Sequence, residues 1–218
     1  MDGPDRARLQ LPQGGGVVAI VRLRRCEPAD ELLEALLSGG VRTVEVTLPT
    51  PGALDAVRRW SRDPRVSAGV GTVRTAQDVV VAAEAGAEFL VTPTTRTEVL
   101  DAAAQRGLPV VSGALTPSEI DLAWGHGAAA VKVFPVTSVG GAAYLRAVRE
   151  PLDDVVLLPT GGVDVASTQE FARMGCVGVG VGSALVSEEL VAAGDWEALR
   201  ERAQRFVSSW HAGVDQRG

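Results

Sequence analysis

The chain has one lysine, Lys132, set in the apolar run Ala128-Ala129-Ala130-Val131-Lys132-Val133-Phe134-Pro135, and every other basic residue is arginine. A position that needed only positive charge could be arginine here too. What lysine can do and arginine cannot is lose its proton and act as an amine nucleophile. Among alanine, valine and phenylalanine an amine is desolvated, which disfavours the ammonium form. Such an amine adds to a ketone to give a Schiff base, and the protonated imine draws electrons out of the adjoining carbon–carbon bond. The competing reading is a lysine at a strand end that snorkels its ammonium to water. Glu45, within Val44-Glu45-Val46-Thr47, is the carboxylate best suited to carry the proton. Its blander role is a buried ion pair with Lys132, a poor stabiliser because both ions must be desolvated.

Two glycine-rich runs late in the chain suit an anion. They are Pro159-Thr160-Gly161-Gly162 and Gly178-Val179-Gly180-Val181-Gly182-Ser183. Glycines let backbone N–H groups close on a phosphate, and a helix start adds a favourable dipole. Ser183 is expected to be both a helix N-cap and a phosphate ligand. Alternatively, the glycines serve only tight strand–helix turns.

These residues must be positioned by an alternating pattern. Apolar runs read as strands at Val17–Leu23, Val41–Leu48, Val66–Gly71, Glu88–Val91, Pro109–Ser112, Ala129–Phe134, Asp154–Leu158 and Val177–Val181. Helical patterns follow them, from Pro28, Pro51, Thr75, Arg96, Pro117, Ala142 and Val165, with a last region from about Ala184 to Trp210 broken near Gly194. Near-continuous apolar strands alternating with helices imply a parallel sheet buried on both faces. Eight such units in 218 residues predict an α/β fold, a single-domain (β/α)8 TIM barrel. An open flavodoxin-like sheet is the lesser alternative.

A glycine stands five residues before a strand centre four times, as Gly40/Glu45, Gly86/Val91, Gly127/Lys132 and Gly175/Gly180, at intervals of 46, 41 and 48 residues. Each interval is two strand–helix units, so these are alternate strands, which share an interior layer in such barrels. Glu45 and Lys132 are therefore expected to face each other from opposite walls.

Composition bounds the rest. Hydrophobic residues make up 46% and aromatics 4%, so the core must be built from valine, leucine and alanine. A net charge of −6 argues against nucleic-acid or anionic-membrane partners. Cys26 and Cys176 are isolated, His126 and His211 are the only histidines, and nothing suggests a metal site. No run is long enough to span a membrane. Residues 1–16 read as a flexible leader, residues 17–218 as the barrel, and the location as cytoplasmic. The four tryptophans are expected to pack outside the barrel.

Glu45-Val46-Thr47-Leu48, Gly69-Val70-Gly71-Thr72-Val73, Lys132-Val133-Phe134-Pro135, Pro159-Thr160-Gly161-Gly162-Val163 and Val181-Gly182-Ser183-Ala184-Leu185, in this order, resemble the 2-keto-3-deoxy-6-phosphogluconate (KDPG) / 4-hydroxy-2-oxoglutarate (KHG) aldolases. The resemblance spans Val17 to Trp210. It implies a class I, metal-independent aldolase with no cofactor beyond a covalent lysine imine, usually a homotrimer. Such an enzyme cleaves a 2-keto-3-deoxy sugar acid 6-phosphate to pyruvate and glyceraldehyde 3-phosphate, with 4-hydroxy-2-oxoglutarate as a further substrate. By position, Lys132 matches the Schiff-base lysine and Glu45 the general acid/base. Thr72 and Thr160 match residues holding the pyruvyl carboxylate side. Gly161, Gly162, Gly182 and Ser183 match the phosphate site, and Pro93 and Phe134 pocket walls.

One departure is Pro49, where many members carry a substrate-contacting arginine. Arg22, at the end of the first strand, is expected to supply the missing charge; with Arg24 and Arg25 it reads equally as a solvated strand end. A second departure is Val91-Thr92-Pro93-Thr94-Thr95, which replaces the family's usual Ser-Pro-Gly or Ser-Pro-His. Two other functions share the phosphate loops: a sugar-phosphate isomerase or epimerase, and a non-catalytic phosphosugar-binding protein.

Overall fold

The computed structural model describes residues 16–217 except residue 26. The leader expected at 1–16 therefore lies, apart from Gly16, outside the described residues. Eight parallel strands follow in chain order: β1 (Val17–Val21), β2 (Thr43–Thr47), β3 (Ser67–Gly71), β4 (Leu90–Val91), β5 (Val110–Ala114), β6 (Ala130–Val133), β7 (Leu157–Pro159) and β8 (Val179–Val181). The helices between and after them are α1 (Asp30–Ser38), α2 (Ala53–Trp60), α3 (Ala76–Glu84), α4 (Thr97–Ala104), α5 (Pro117–Gly125), α6 (Gly141–Arg149), α7 (Val165–Arg173), α8 (Glu188–Ala193) and α9 (Trp196–Val214).

Each strand pairs with the next from β1 to β7, and β1 also pairs with β8. The ring closes between β7 and β8 through the bridge of Thr160 with Gly180 and the hydrogen bond from Val177 N–H to the Leu157 carbonyl. This is the expected TIM barrel, not an open sheet. Both strand faces are buried, which is why the strands read as unbroken apolar runs. Outward-pointing Val17, Ala19, Val44, Val46, Val131 and Val133 join the helices in the larger core. Inward-pointing Val18, Phe89, Val91, Val111, Ala130 and Leu158 fill the barrel itself.

Register sets the interior layers. Ile20 pairs with Glu45 and Glu45 with Gly69, while Gly113 pairs with Lys132 and Lys132 with Leu158. Gly40, Gly86, Gly127 and Gly175 all take positive φ, at 92°, 81°, 86° and 80°. Each turns the chain out of a helix toward an even-numbered strand, as C′ glycines do. The repeat is thus a recurring helix exit. Capping boxes fix the starts of α3 (Thr75, Asp78), α5 (Thr116, Glu119, with Pro117 in the first turn) and α7 (Asp164, Ser167).

Most strands differ from expectation by one or two residues at an end, as β2 (Thr43–Thr47) and β4 (Leu90–Val91) do, and three boundaries have a visible cause or a larger shift. β7 starts at Leu157 rather than Asp154, because the Val155 N–H is turned back to the Leu152 carbonyl. β8 is confined to Val179–Val181, although the Val177 N–H already reaches β7. The last helical region does not begin at Ala184: a turn there, with Leu185 and Val186 N–H groups on the Gly182 carbonyl, precedes α8 at Glu188. The break at Gly194 (φ 64°) is where it was expected. Trp60 and Trp210 are buried in the outer core, with Trp124 and Trp196 packed against it. Among the described residues no helix is long and apolar enough to cross a membrane.

Candidate active site

Lys132 points inward from β6 and Glu45 inward from β2, half the ring away. The two residues are 6% and 2% exposed, and their side chains meet with Nζ 4.0 Å from Oε2. Opposite walls are thus bridged by one amine and one carboxylate, as the layer argument expects. The other carboxylate oxygen, Glu45 Oε1, is buried and has no hydrogen-bond partner among the described residues. Its position depends on Gly71: a Cβ built there would lie 1.8 Å from Oε1. Above Lys132, Nζ stands 5.5 Å from the centre of the Phe134 ring, a side chain 38% exposed at the barrel mouth.

The mouth is assembled from strand ends. Thr72, just past β3, has φ 61°, a left-handed conformation strained for a β-branched residue. Its Oγ1 accepts a hydrogen bond from Arg22 Nη2 at 3.4 Å, which places exposed Arg22 on the same rim. Pro93 follows β4 and lies on β5, where a Cβ on Gly113 would come within 2.4 Å of the proline backbone. That loop is clamped by threonines: Thr92 Oγ1 accepts the Gly113 N–H at 3.0 Å and Thr95 Oγ1 donates to the Gly113 carbonyl at 2.9 Å. The unusual Thr92 to Thr95 segment therefore fixes the Pro93 wall. Thr160 is buried after β7, with Gly180 leaving room for its hydroxyl.

Gly161 and Gly162 turn away from β7 with φ 91° and 74°, and Gly161 packs on the Phe134 ring. Gly182 and exposed Ser183 follow β8, and a Cβ on Gly182 would meet nothing within 4 Å. Among the described residues, no backbone acceptor in the protein takes the N–H groups of Gly161, Gly162, Gly182 or Ser183. One expectation fails: Ser183 is not a helix N-cap. It sits in the turn after β8, and the cap of α8 is Ser187, whose hydroxyl accepts the Leu190 N–H.

Apart from Glu45, which projects from the middle of β2, the site residues singled out from the sequence stand at or just past the C-terminal ends of strands, the face where (β/α)8 enzymes place their chemistry. Sequence reasoning missed Thr50. Its buried hydroxyl accepts the Leu23 N–H at 3.2 Å, donates to the Val21 carbonyl at 3.3 Å, and so holds both sides of Arg22. It also missed Gly71 as the seat of Glu45. No local signal in the sequence marks Gly71; its role follows from its pairing with Thr47, two residues beyond Glu45 on the same strand face.

A family model for KDPG and KHG aldolase matches residues 10–202. The chain belongs to this family. It is 34% identical over 197 residues to the KHG/KDPG aldolase of Escherichia coli (strain K12), covering 88% of this chain and 91% of that one. A solved KDPG aldolase from Legionella pneumophila, with pyruvate captured at low pH as a covalent carbinolamine, is 30% identical with a TM-score of 0.80, covering 88% and 93%. A structure described as native KDPGal aligns at 29% identity and a TM-score of 0.83, covering 95% of this chain and all of that one. As a KDPG/KHG aldolase the protein is a lyase of the class I, Schiff-base kind. The isomerase and binding-protein readings fall away.

Proposed function

We propose that Lys132 is the Schiff-base residue and Glu45 the proton carrier, acting on a 2-keto-3-deoxy sugar acid 6-phosphate. The observation that carries this reading is the chain's one amine side chain, buried in the barrel mouth 4.0 Å from a carboxylate. The Lys132 amine adds to the C2 ketone, and water leaves as the imine forms. Glu45, through a water, takes the proton of the C4 hydroxyl. The C3–C4 bond then breaks, its electron pair moves into the protonated imine, and the aldehyde departs. The resulting enamine is reprotonated at C3, and water hydrolyses the imine to release pyruvate and the free amine.

Thr72 and Thr160 hold the pyruvyl carboxylate side, Pro93 and Phe134 wall the pocket, and Arg22 adds positive charge at the rim. The unbonded N–H groups of Gly161, Gly162, Gly182 and Ser183 support a phosphate on the far side of the mouth. The products are pyruvate and glyceraldehyde 3-phosphate; 4-hydroxy-2-oxoglutarate would give pyruvate and glyoxylate by the same steps. No metal is needed, since the imine itself is the electron sink. A cytoplasmic homotrimer is part of the proposal on family resemblance, and light scattering at three times the chain mass tests the trimer.

Borohydride reduction in the presence of pyruvate, followed by intact mass, tests the chemistry. The expected result is one pyruvyl adduct on the native chain and none on Lys132→Met. Absence of an adduct on the native chain, or the same adduct on Lys132→Met, refutes the assignment.

A further inference from the structure

The peptide joining Gly161 to Gly162 is held from one side by a residue with no task so far. Thr137 lies in the 3-10 turn Thr137–Val139 after β6. Its hydroxyl donates to the Gly161 carbonyl at 2.9 Å, and its backbone N–H reaches the same oxygen at 3.3 Å. In a trans peptide the carbonyl of one residue and the N–H of the next point opposite ways. Drawing the Gly161 oxygen toward Thr137 therefore turns the Gly162 N–H away from the β6 side, toward the side on which β8 carries Gly182 and Ser183. That N–H is one of the donors without a backbone acceptor among the described residues. The fit is close: a Cβ on Gly162, itself at φ 74°, would lie 2.0 Å from Thr137 Oγ1.

We infer that Thr137 is a positioning residue, which touches no substrate but aims the Gly162 N–H at the substrate's phosphate. This rests on the proposed phosphorylated substrate and deepens it. Glycine peptides rotate readily, so a glycine turn left to itself would present its donor only part of the time. The two bonds from Thr137 to one oxygen remove that freedom. Without the hydroxyl, only the longer backbone bond remains.

The test uses Thr137→Val, which keeps the shape and loses the hydroxyl, and Thr137→Ser, which restores the hydroxyl. Thr137 is exposed, so neither change threatens the fold, and thermal midpoints are measured to verify this. For Thr137→Val, KM for the phosphorylated sugar acid and the inhibition constant of inorganic phosphate are expected to rise about fivefold to tenfold, the weight of one ordinary hydrogen bond, since the Gly162 donor is misaimed and not removed. Its kcat is expected to hold within about twofold. Cleavage of the same sugar acid without phosphate should be unchanged, and Thr137→Ser should recover the native values. An equal loss on both substrates, or no change on either, overturns the inference. The pyruvate–borohydride adduct is measured alongside. A native enzyme that forms the adduct yet neither prefers the phosphorylated substrate nor responds to phosphate also overturns it, leaving the Lys132 chemistry intact. Absence of the adduct sinks the Lys132 assignment instead.

Discussion

Gly71→Ala tests whether the Glu45 carboxylate must sit where it does. Gly71 is not among the positive-φ residues, so alanine's backbone is permitted and only the added methyl matters. That methyl would lie 1.8 Å from Glu45 Oε1, 2.4 Å from Cδ and 2.5 Å from Cγ. Relieving the contact to 3.0 Å moves the carboxylate about 1.2 Å within a site where Glu45 is 2% exposed. A misplacement of about 1 Å costs on the order of 100-fold in rate, so kcat for pyruvate release should fall by about that factor. Overpacking should also cost about 1–3 kcal/mol, or about 2–12 °C in the thermal midpoint of a domain this size. Gly69→Ala separates the two effects, because its methyl would strike the Phe89 ring at 2.5 Å and not Glu45. It should lower the melting temperature similarly while keeping kcat within about threefold. The reasoning is refuted if Gly71→Ala keeps near-native kcat, or if Gly69→Ala loses as much.

Arg22→Ala should raise KM for the phosphorylated substrate by about threefold to tenfold. Arg58→Ala, which removes a surface pair with Asp55, should leave KM alone; equal effects would make Arg22 a solvated strand end. At α7, Asp164 accepts the Ser167 N–H at 2.8 Å, and the Ser167 hydroxyl, then its N–H, hold the carboxyl below its ordinary 3.8. Asp164→Ala should therefore cost about 1 kcal/mol at neutral pH, the usual weight of an N-cap. Because the folded value is the lower one, the native cap's contribution is full above pH 3.8 and fades as pH falls through the folded value. Melting curves of the two proteins should accordingly converge in acid, and a constant gap would contradict the assignment. Burial pushes the Cys176 thiol up to about 12. In a Cys26→Ser chain, Cys176 should resist a disulfide reagent at mildly alkaline pH until denaturant opens the core.

The barrel was legible because its strands are buried on both faces and its helix exits are written in glycine. The pattern that marks Gly40, Gly86, Gly127 and Gly175 is a backbone requirement, and it puts Glu45 and Lys132 in one layer from the sequence alone. What stayed hidden depends on contacts between loops distant in sequence. Thr50 stands 27 residues from Leu23 and Thr137 stands 24 from Gly161, and nothing local marks either hydroxyl as a clamp. Ser183 misled for a related reason. A serine before an apolar run reads as an N-cap, but the turn closing on the Gly182 carbonyl delays α8 until Ser187 takes that role.

The separation of Lys132 from Glu45 bears on why the chain keeps a single lysine. Among the described residues the other ion pairs all use arginine and all are partly or largely exposed, whereas the lysine pair is buried and the longest at 4.0 Å. A buried pair at hydrogen-bonding distance would be the better stabiliser, since close contact offsets desolvation. An ammonium locked against a carboxylate, however, has no lone pair to offer a ketone. Set 4.0 Å apart, with Glu45 Oε1 unbonded among the described residues and no Cβ beneath it, the two groups can both reach one substrate oxygen or water lying beside them. The loose pair is thus a weak element of the fold and a strong one for the chemistry. Arginine at 132 would lose that chemistry while keeping the charge, so Lys132→Arg should fold, melt near the native temperature and form no imine.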